Sequence, residues 1–165
     1  VFSTEGETLE EVVGKLLSRN RLTLALAESC TGGLVAHRIS NVSGSSNYFE
    51  RGIVSYSNES KVEVLGVPKK LIESFGAVSK EVVEEMAQGV RRLANTDIGI
   101  SISGIAGPTG ATPAKPVGTV YIGISHEKRG TSSQRFQFKG TREEIKLNAS
   151  EVALDWIRKF VLINV

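Results

Sequence analysis

The chain contains very little cysteine and histidine, with one Cys and two His in 165 residues. One cysteine excludes an internal disulfide and fits a reducing compartment. No cluster of His, Cys and Asp has the spacing of a metal site, so we expect no metal and no cofactor. No apolar run approaches the ~20 residues that span a bilayer. The acidic start VFSTEG also lacks a signal-peptide pattern. We expect a cytoplasmic protein with no membrane partner.

The chain also lacks a strong charge of either sign, because its formal net charge is only +2. Its basic residues are spread along the sequence, which is typical of a solvated mixed-charge surface and argues against nucleic acid as a partner. The composition, 40% apolar and 23% charged, is that of an ordinary globular protein. Its length suits one compact domain over residues 1–165.

The hydrophobic pattern alternates between helical and extended periods. Two segments, RLTLALAES and TDIGISISG, have the continuous apolar character of buried strands. The end of the chain shows two strands joined by EKRG, which predicts a hairpin. The pattern predicts helices over 7–20, 32–42, 58–66, 68–76, 79–95 and 141–163 and strands over 21–29, 47–57, 96–104, 119–126 and 132–139. This order predicts a three-layer α/β/α domain with a mixed β-sheet.

The first candidate binding loop, ESCTGG, directly follows the buried strand 21–29. Ligands of open α/β sheets bind beyond the carboxyl ends of such strands. Ser29 and Thr31 supply hydroxyls, and Gly32 and Gly33 let main-chain N–H groups approach an anion. The simpler interpretation is that Thr31 caps the next helix.

The second candidate loop, SGIAGPTGATPAKPVG, follows the other buried strand and so could lie beside the first. Such a long loop in a compact domain favours a function, although a proline-stiffened connection is the alternative. Arg142 opens the last helix, where the first turn ordinarily prefers acids. A phosphate or carboxylate ligand would offset this conflict, and so would the neighbouring acids 143 and 144. The loop's candidate binding residues are Gly104, Gly107, Thr109 and Gly110.

A hydroxyl nucleophile in this chain would need a base other than histidine. No G-x-S-x-G motif is present, and Cys30 is more typical of a small buried hydrophobe. Lysine can serve as the base if burial lowers its pKa. Lys61 with nearby Tyr56 is a candidate base and proton relay, and the nucleophile could be Ser46 or Ser29. A lysine near a tyrosine is, however, also common on protein surfaces.

Several blocks in order resemble the CinA carboxy-terminal family: LAESCTGGLVAHRISNVSGSSNYFERGIVSYSNESKVEVLGV, GAVS, SISGIAGPTG and KPVGTVYIGI. The resemblance implies a nicotinamide-nucleotide amidase, which converts nicotinamide mononucleotide to nicotinate mononucleotide and ammonia. It maps a Ser-Lys-Tyr site onto Ser46, Lys61 and Tyr56, with Ser29 as helper or rival nucleophile. It also implies ligand contacts from the glycine-rich loop and Arg142.

The resemblance leaves other functions open. The chain could be a non-catalytic nucleotide-binding or regulatory module, in which Lys61 would titrate normally. It could also be a DNA-binding competence accessory, against which the weak charge argues. We expect a small-molecule nucleotide substrate, a homo-oligomer of two or more copies, and an amino-terminal partner domain of the kind to which this family's domain is joined.

Overall fold

The structure, a computed structural model, describes residue 3 and residues 6–164, so four residues of the acidic N-terminal segment lie outside it. Six helices, five strands and one short 3-10 turn (Ser45–Asn47) make up the described chain. The helices are α1 (Leu9–Arg19), α2 (Leu34–Ser40), α3 (Asn58–Leu65), α4 (Lys69–Phe75), α5 (Lys80–Ala94) and α6 (Arg142–Asn164). The strands are β1 (Leu24–Glu28), β2 (Phe49–Val54), β3 (Ile98–Gly104), β4 (Thr119–His126) and β5 (Gly130–Gln137).

The five strands form one mixed sheet in the order β2-β1-β3-β4-β5. β2, β1 and β3 are parallel, whereas β4 pairs antiparallel with β3 and with β5. The carboxyl ends of the three parallel strands therefore meet at one edge of the sheet. Both the mixed sheet and the terminal hairpin confirm the expectation from sequence.

Helices cover both faces of the sheet and create two apolar cores. α1, α2 and α6 pack on one face, and α3, α4 and α5 on the other. β1 contributes to both cores by alternation, because Leu24 and Leu26 point to the first core and Ala25 and Ala27 to the second. The result is the predicted single three-layer α/β/α domain. Within the described residues, no helix is both long and apolar enough to cross a membrane.

The starts of α1, α5 and α6 follow the capping signals of the sequence. Thr8 and Glu11 form a reciprocal capping box at α1, and Thr141 and Glu144 form the same arrangement at α6. The hydroxyl of Ser79 accepts from the Val82 N–H at the start of α5. These local hydrogen bonds set where the helices begin and hence which side chains face the sheet edge.

The position of α3 depends on a close approach to α5. A Cβ on Gly89 of α5 would lie only 2.0 Å from the Leu65 carbonyl oxygen of α3. Only glycine lets the two backbones come this near. α3 carries Lys61, so this contact helps to set the depth at which the lysine enters the protein.

Candidate active site

The candidate site lies where the parallel strands end. Ser29 directly follows β1, and Ser55 directly follows β2. The end of β3 lies here as well, since a Cβ on Gly104, its last residue, would lie 3.1 Å from the sulfur of Cys30. The two glycine-containing loops, 29–33 and 104–110, are therefore neighbours, as their positions after buried strands predict.

Lys61 is buried at the centre of this site and contacts Ser29. Its side chain is 1% exposed, and Nζ lies 3.0 Å from the Ser29 hydroxyl oxygen. Nζ also donates to the main-chain carbonyls of Ser55 at 2.8 Å and Tyr56 at 3.1 Å. The lysine is thus on a helix and buried, not solvated in a surface turn.

The surroundings of Lys61 disfavour its charged form. Burial lowers the pKa of the Lys61 ammonium below its ordinary value of 10.5. Among the described residues, no carboxylate forms an ion pair with it. A neutral amine has two N–H groups and one lone pair. Nζ also lies 3.5 Å from the Ser57 carbonyl, so all of its hydrogen-bonding neighbours here are oxygens. In the neutral amine, the two closest carbonyls would accept the two N–H groups, and the lone pair would face the Ser29 hydroxyl.

Cys30 does not compete with Ser29 as a nucleophile. Burial raises the pKa of its thiol to about 12, so the thiolate is absent at neutral pH. Its sulfur packs against the end of β3 near Gly104. This is the small buried hydrophobe that the sequence favoured.

Glu28 holds the turn that carries Ser29. Its buried carboxylate accepts three main-chain N–H groups, from Gly33 at 3.1 Å, Val35 at 3.2 Å and Ala36 at 2.8 Å. These charge-assisted bonds tie the end of β1 to the start of α2. Sequence reasoning did not identify Glu28, because its partners are main-chain groups that only the folded turn brings together.

Arg142 joins the second loop to Tyr56. Nη1 donates to the Gly107 carbonyl at 2.7 Å, and Nη2 donates to the Tyr56 hydroxyl at 2.8 Å. Tyr56 is 57% exposed, so its ring forms part of the rim of the site. Arg142 therefore lies beside the candidate site, and the partners that it has here are protein groups.

The structure separates Ser46 from the lysine, contrary to the expected pairing. Ser46 lies in the exposed turn before β2, whereas Lys61 and Ser29 lie beyond the carboxyl ends of β2 and β1. The six-residue strand β2 lies between Ser46 and the end of the sheet that carries Lys61, and a strand of this length spans roughly 15–20 Å. The serine next to Lys61 is Ser29, because parallel pairing of β1 and β2 brings their carboxyl ends together.

The Tyr56 relay is also absent from this arrangement. The Tyr56 group that contacts Lys61 is its main-chain carbonyl, and its hydroxyl bonds to Arg142. Of the remaining candidates, Gly107 is buried, whereas Thr109 and Gly110 are exposed at the outer part of their loop. Thr31 is 1% exposed beside Gly32 and Gly33, but its hydroxyl makes no capping bond.

A buried lysine on α3, within hydrogen-bonding distance of a serine hydroxyl at the carboxyl edge of an α/β/α sheet, is a candidate serine-lysine site. A sequence model of the CinA C-terminal domain family matches residues 6–161. The chain belongs to the CinA C-terminal domain family.

Relatives and solved structures agree with this family. A CinA-like protein of Geotalea uraniireducens is 51% identical over 98% of this chain, and a competence-damage inducible protein of Thermoanaerobacter pseudethanolicus is 49% identical over 98%. The chain spans 38% and 39% of their lengths. A CinA superfamily structure from Klebsiella pneumoniae has a TM-score of 0.90 at 32% identity, covering 93% of this chain and 96% of that one. The competence/damage inducible protein CihA of Agrobacterium tumefaciens has a TM-score of 0.87 at 31% identity, with coverages of 94% and 96%.

Proposed function

We propose that this chain is an amidohydrolase that converts nicotinamide mononucleotide to nicotinate mononucleotide and ammonia, with Ser29 as nucleophile and Lys61 as base. The observation that carries the proposal is the 3.0 Å contact between Lys61 Nζ and Ser29 Oγ in a buried position. A structural role for a buried, carboxylate-free lysine would be costly, whereas a general base benefits from a lowered pKa. The family resemblance supplies the substrate.

The acylation step uses the lone pair that the two carbonyls leave free. Neutral Lys61 takes the Ser29 proton as the serine oxygen bonds to the carboxamide carbon. The C=O electron pair moves to oxygen and forms a tetrahedral oxyanion. Lys61 then returns the proton to the amide nitrogen, the C–N bond breaks, and ammonia leaves an ester on Ser29.

Deacylation uses Lys61 again as the base, with water in place of Ser29 as the nucleophile. Water attacks the ester carbon while Lys61 accepts one of its protons. The carbon–oxygen bond to Ser29 breaks, the proton returns to the serine oxygen, and the carboxylic acid product leaves. Each proton that the lysine accepts is passed on within the same half-reaction, so the amine begins and ends neutral.

The oxyanion requires hydrogen-bond donors beside Ser29. The glycine-rich loop supplies candidates, because the Gly107 main-chain N–H has no acceptor within the described residues. One such donor contributes about 3–4 kcal/mol to a transition state. Arg142 orients this loop through the Gly107 carbonyl and brings Tyr56 to the same side.

The test is ammonia release from nicotinamide mononucleotide by the parent and by Ser29→Ala, Lys61→Ala and Ser46→Ala. We expect Ser29→Ala and Lys61→Ala to lose at least about a thousandfold in kcat/KM, as removal of a nucleophile or its base does. Ser46→Ala is the matched control, because it removes the same hydroxyl from an exposed turn. It should retain activity within about twofold.

Two outcomes would contradict this assignment. Full activity in Ser29→Ala with loss in Ser46→Ala would return the nucleophile to Ser46. A folded parent that releases no ammonia would instead favour the non-catalytic nucleotide-binding module. Circular dichroism of each variant separates lost chemistry from lost folding.

A further inference from the structure

A second cavity, of about 650 Å³, adjoins the Ser29 turn on the side of α6. Its walls are the 31–34 segment, His37 of α2 and the first turns of α6. Its lining begins at Thr31, two residues after Ser29. The lining carries cationic side chains, of which only Arg142 has a part in the site described above.

Lys146 is the central cation of this cavity. It is half-buried, and within the described residues it has neither an ion-pair nor a hydrogen-bond partner. Its Nζ would lie 3.5 Å from a Cβ on Gly32, so the ammonium faces the glycine turn across the cavity. It lies one helical turn after Arg142, whose guanidinium is already held by Gly107 and Tyr56.

The Thr31 hydroxyl is a second, independent observation that points to a ligand. Thr31 is 1% exposed and lines the cavity, and its Oγ1 has no hydrogen-bond partner among residues 3 and 6–164. Buried hydroxyls are nearly always hydrogen-bonded, since leaving one unpaired is costly. A ligand oxygen in the cavity would satisfy this group.

The charges around the cavity favour an anion. Lys146 and Arg142 are positive, and Glu143 is the one acidic lining residue. Glu143 is exposed, so water screens its charge. His37 is exposed as well, and its Nε2 lies 3.2 Å from the Asn41 side-chain amide.

We propose that this cavity is the subsite for the substrate's phosphomonoester and that Lys146 is its specificity-determining residue. The inference rests on the proposed function for the position of the substrate. A phosphomonoester carries nearly two negative charges and three acceptor oxygens. It therefore matches an unpaired ammonium and an unpaired hydroxyl that line the same cavity better than a neutral ribose does.

The binding test uses ribose 5-phosphate as the probe, because it contains the phosphomonoester without the carboxamide. Calorimetric titration compares the parent, Lys146→Met and Lys159→Met, with unphosphorylated ribose as the ligand control. Lys159→Met removes the same charge from the far end of α6, where Lys159 pairs with Asp155. We expect at least tenfold weaker binding in Lys146→Met, and parent-like binding in Lys159→Met.

The kinetic test compares kcat/KM for nicotinamide mononucleotide with kcat/KM for nicotinamide riboside. We expect the ratio of the two to fall at least tenfold in Lys146→Met and to stay unchanged in Lys159→Met. A structural role for Lys146 would change both substrates alike and leave the ratio unaltered.

The outcomes separate this subsite from the amidase activity. An active amidase in which Lys146→Met alters neither the ratio nor ribose 5-phosphate affinity overturns the subsite alone. Lys146-dependent binding of ribose 5-phosphate in a parent that releases no ammonia supports the subsite and contradicts the amidase. Equal binding of ribose and ribose 5-phosphate by the parent overturns the subsite.

Discussion

Lys61 Nζ lies 3.0 Å from the hydroxyl oxygen of Ser29, although the two residues are 32 positions apart in the chain. The contact joins the end of β1 to α3, the helix that follows β2. It is made possible by the parallel pairing of β1 and β2, which brings both strand ends to the same edge. Its consequences for activity and stability can be tested directly.

The rate of amide hydrolysis should rise with pH along an ionisation of Lys61. Only the neutral amine can accept the Ser29 proton. Since burial lowers the pKa of Lys61, the rising limb of kcat/KM should be centred below the ordinary lysine value of 10.5. A pH–rate profile measured to pH 10 checks this. A limb centred near 10.5 would mean that the lysine titrates as a solvated group.

The same ionisation should make stability depend on pH. Between the lowered pKa of folded Lys61 and the ordinary value of 10.5, the unfolded chain binds more protons than the folded chain. The free energy of unfolding contributed by this group therefore rises with pH over that window, and is lost as pH falls through it.

Lys61→Met isolates the contribution of the lysine charge to the free energy of unfolding, because methionine has similar length and no charge. We expect the stability difference between parent and variant to shift in favour of the parent as pH rises from 7 towards 10. Urea denaturation at several pH values measures it. Lys80→Met, at an exposed position on α5, is the control and should show no such trend. A pH-independent difference for Lys61→Met would contradict the lowered pKa.

Tyr56→Phe removes the hydroxyl that accepts from Arg142 at 2.8 Å and leaves the ring and the main-chain carbonyl in place. Arg142 then has one anchor, at Gly107, so the glycine-rich loop is held less firmly. We expect kcat/KM to fall about tenfold, the order of one charge-assisted hydrogen bond.

The rising limb of the pH–rate profile distinguishes the positioning of Arg142 by Tyr56 from a proton relay through Tyr56. If Tyr56 only orients Arg142, the limb assigned to Lys61 should stay at the same pH in Tyr56→Phe. A limb that moves would indicate that the hydroxyl takes part in the lysine's proton transfer. Tyr121→Phe, in β4, is the control for loss of a tyrosine hydroxyl.

Glu28→Gln should weaken the turn that carries Ser29. A glutamine amide can accept at only one of its two terminal atoms, whereas the carboxylate accepts three N–H groups with both oxygens. We expect a loss of about 1–3 kcal/mol in the free energy of unfolding. Denaturant titration measures it, with the exposed Glu50→Gln as the control. A loss below about 0.5 kcal/mol would show that the turn is held by other contacts.

The layered fold was accessible from local patterns. Capping pairs such as Thr8 with Glu11, and the apolar runs of β1 and β3, are signals carried by neighbouring residues. The choice between Ser46 and Ser29 was different, because both are serines near glycines. The family resemblance mapped the nucleophile to Ser46, which lies at the opposite end of the six-residue strand β2 from Lys61. Parallel pairing of β1 and β2 instead brings Ser29 to the lysine.

By itself, the sequence determined the order of helices and strands, the three layers, and the two glycine-containing loops that follow the buried strands. Hydrophobic periodicity and helix caps involve residues only a few positions apart, so they can be recognised in the sequence without knowledge of tertiary contacts. Only the tertiary structure decided which hydroxyl meets Lys61, how deeply the lysine is buried, and that Thr31 and Lys146 share a cavity. Those features arise from packing between segments distant in the chain, where parallel strand pairing and the close approach at Gly89 set the geometry.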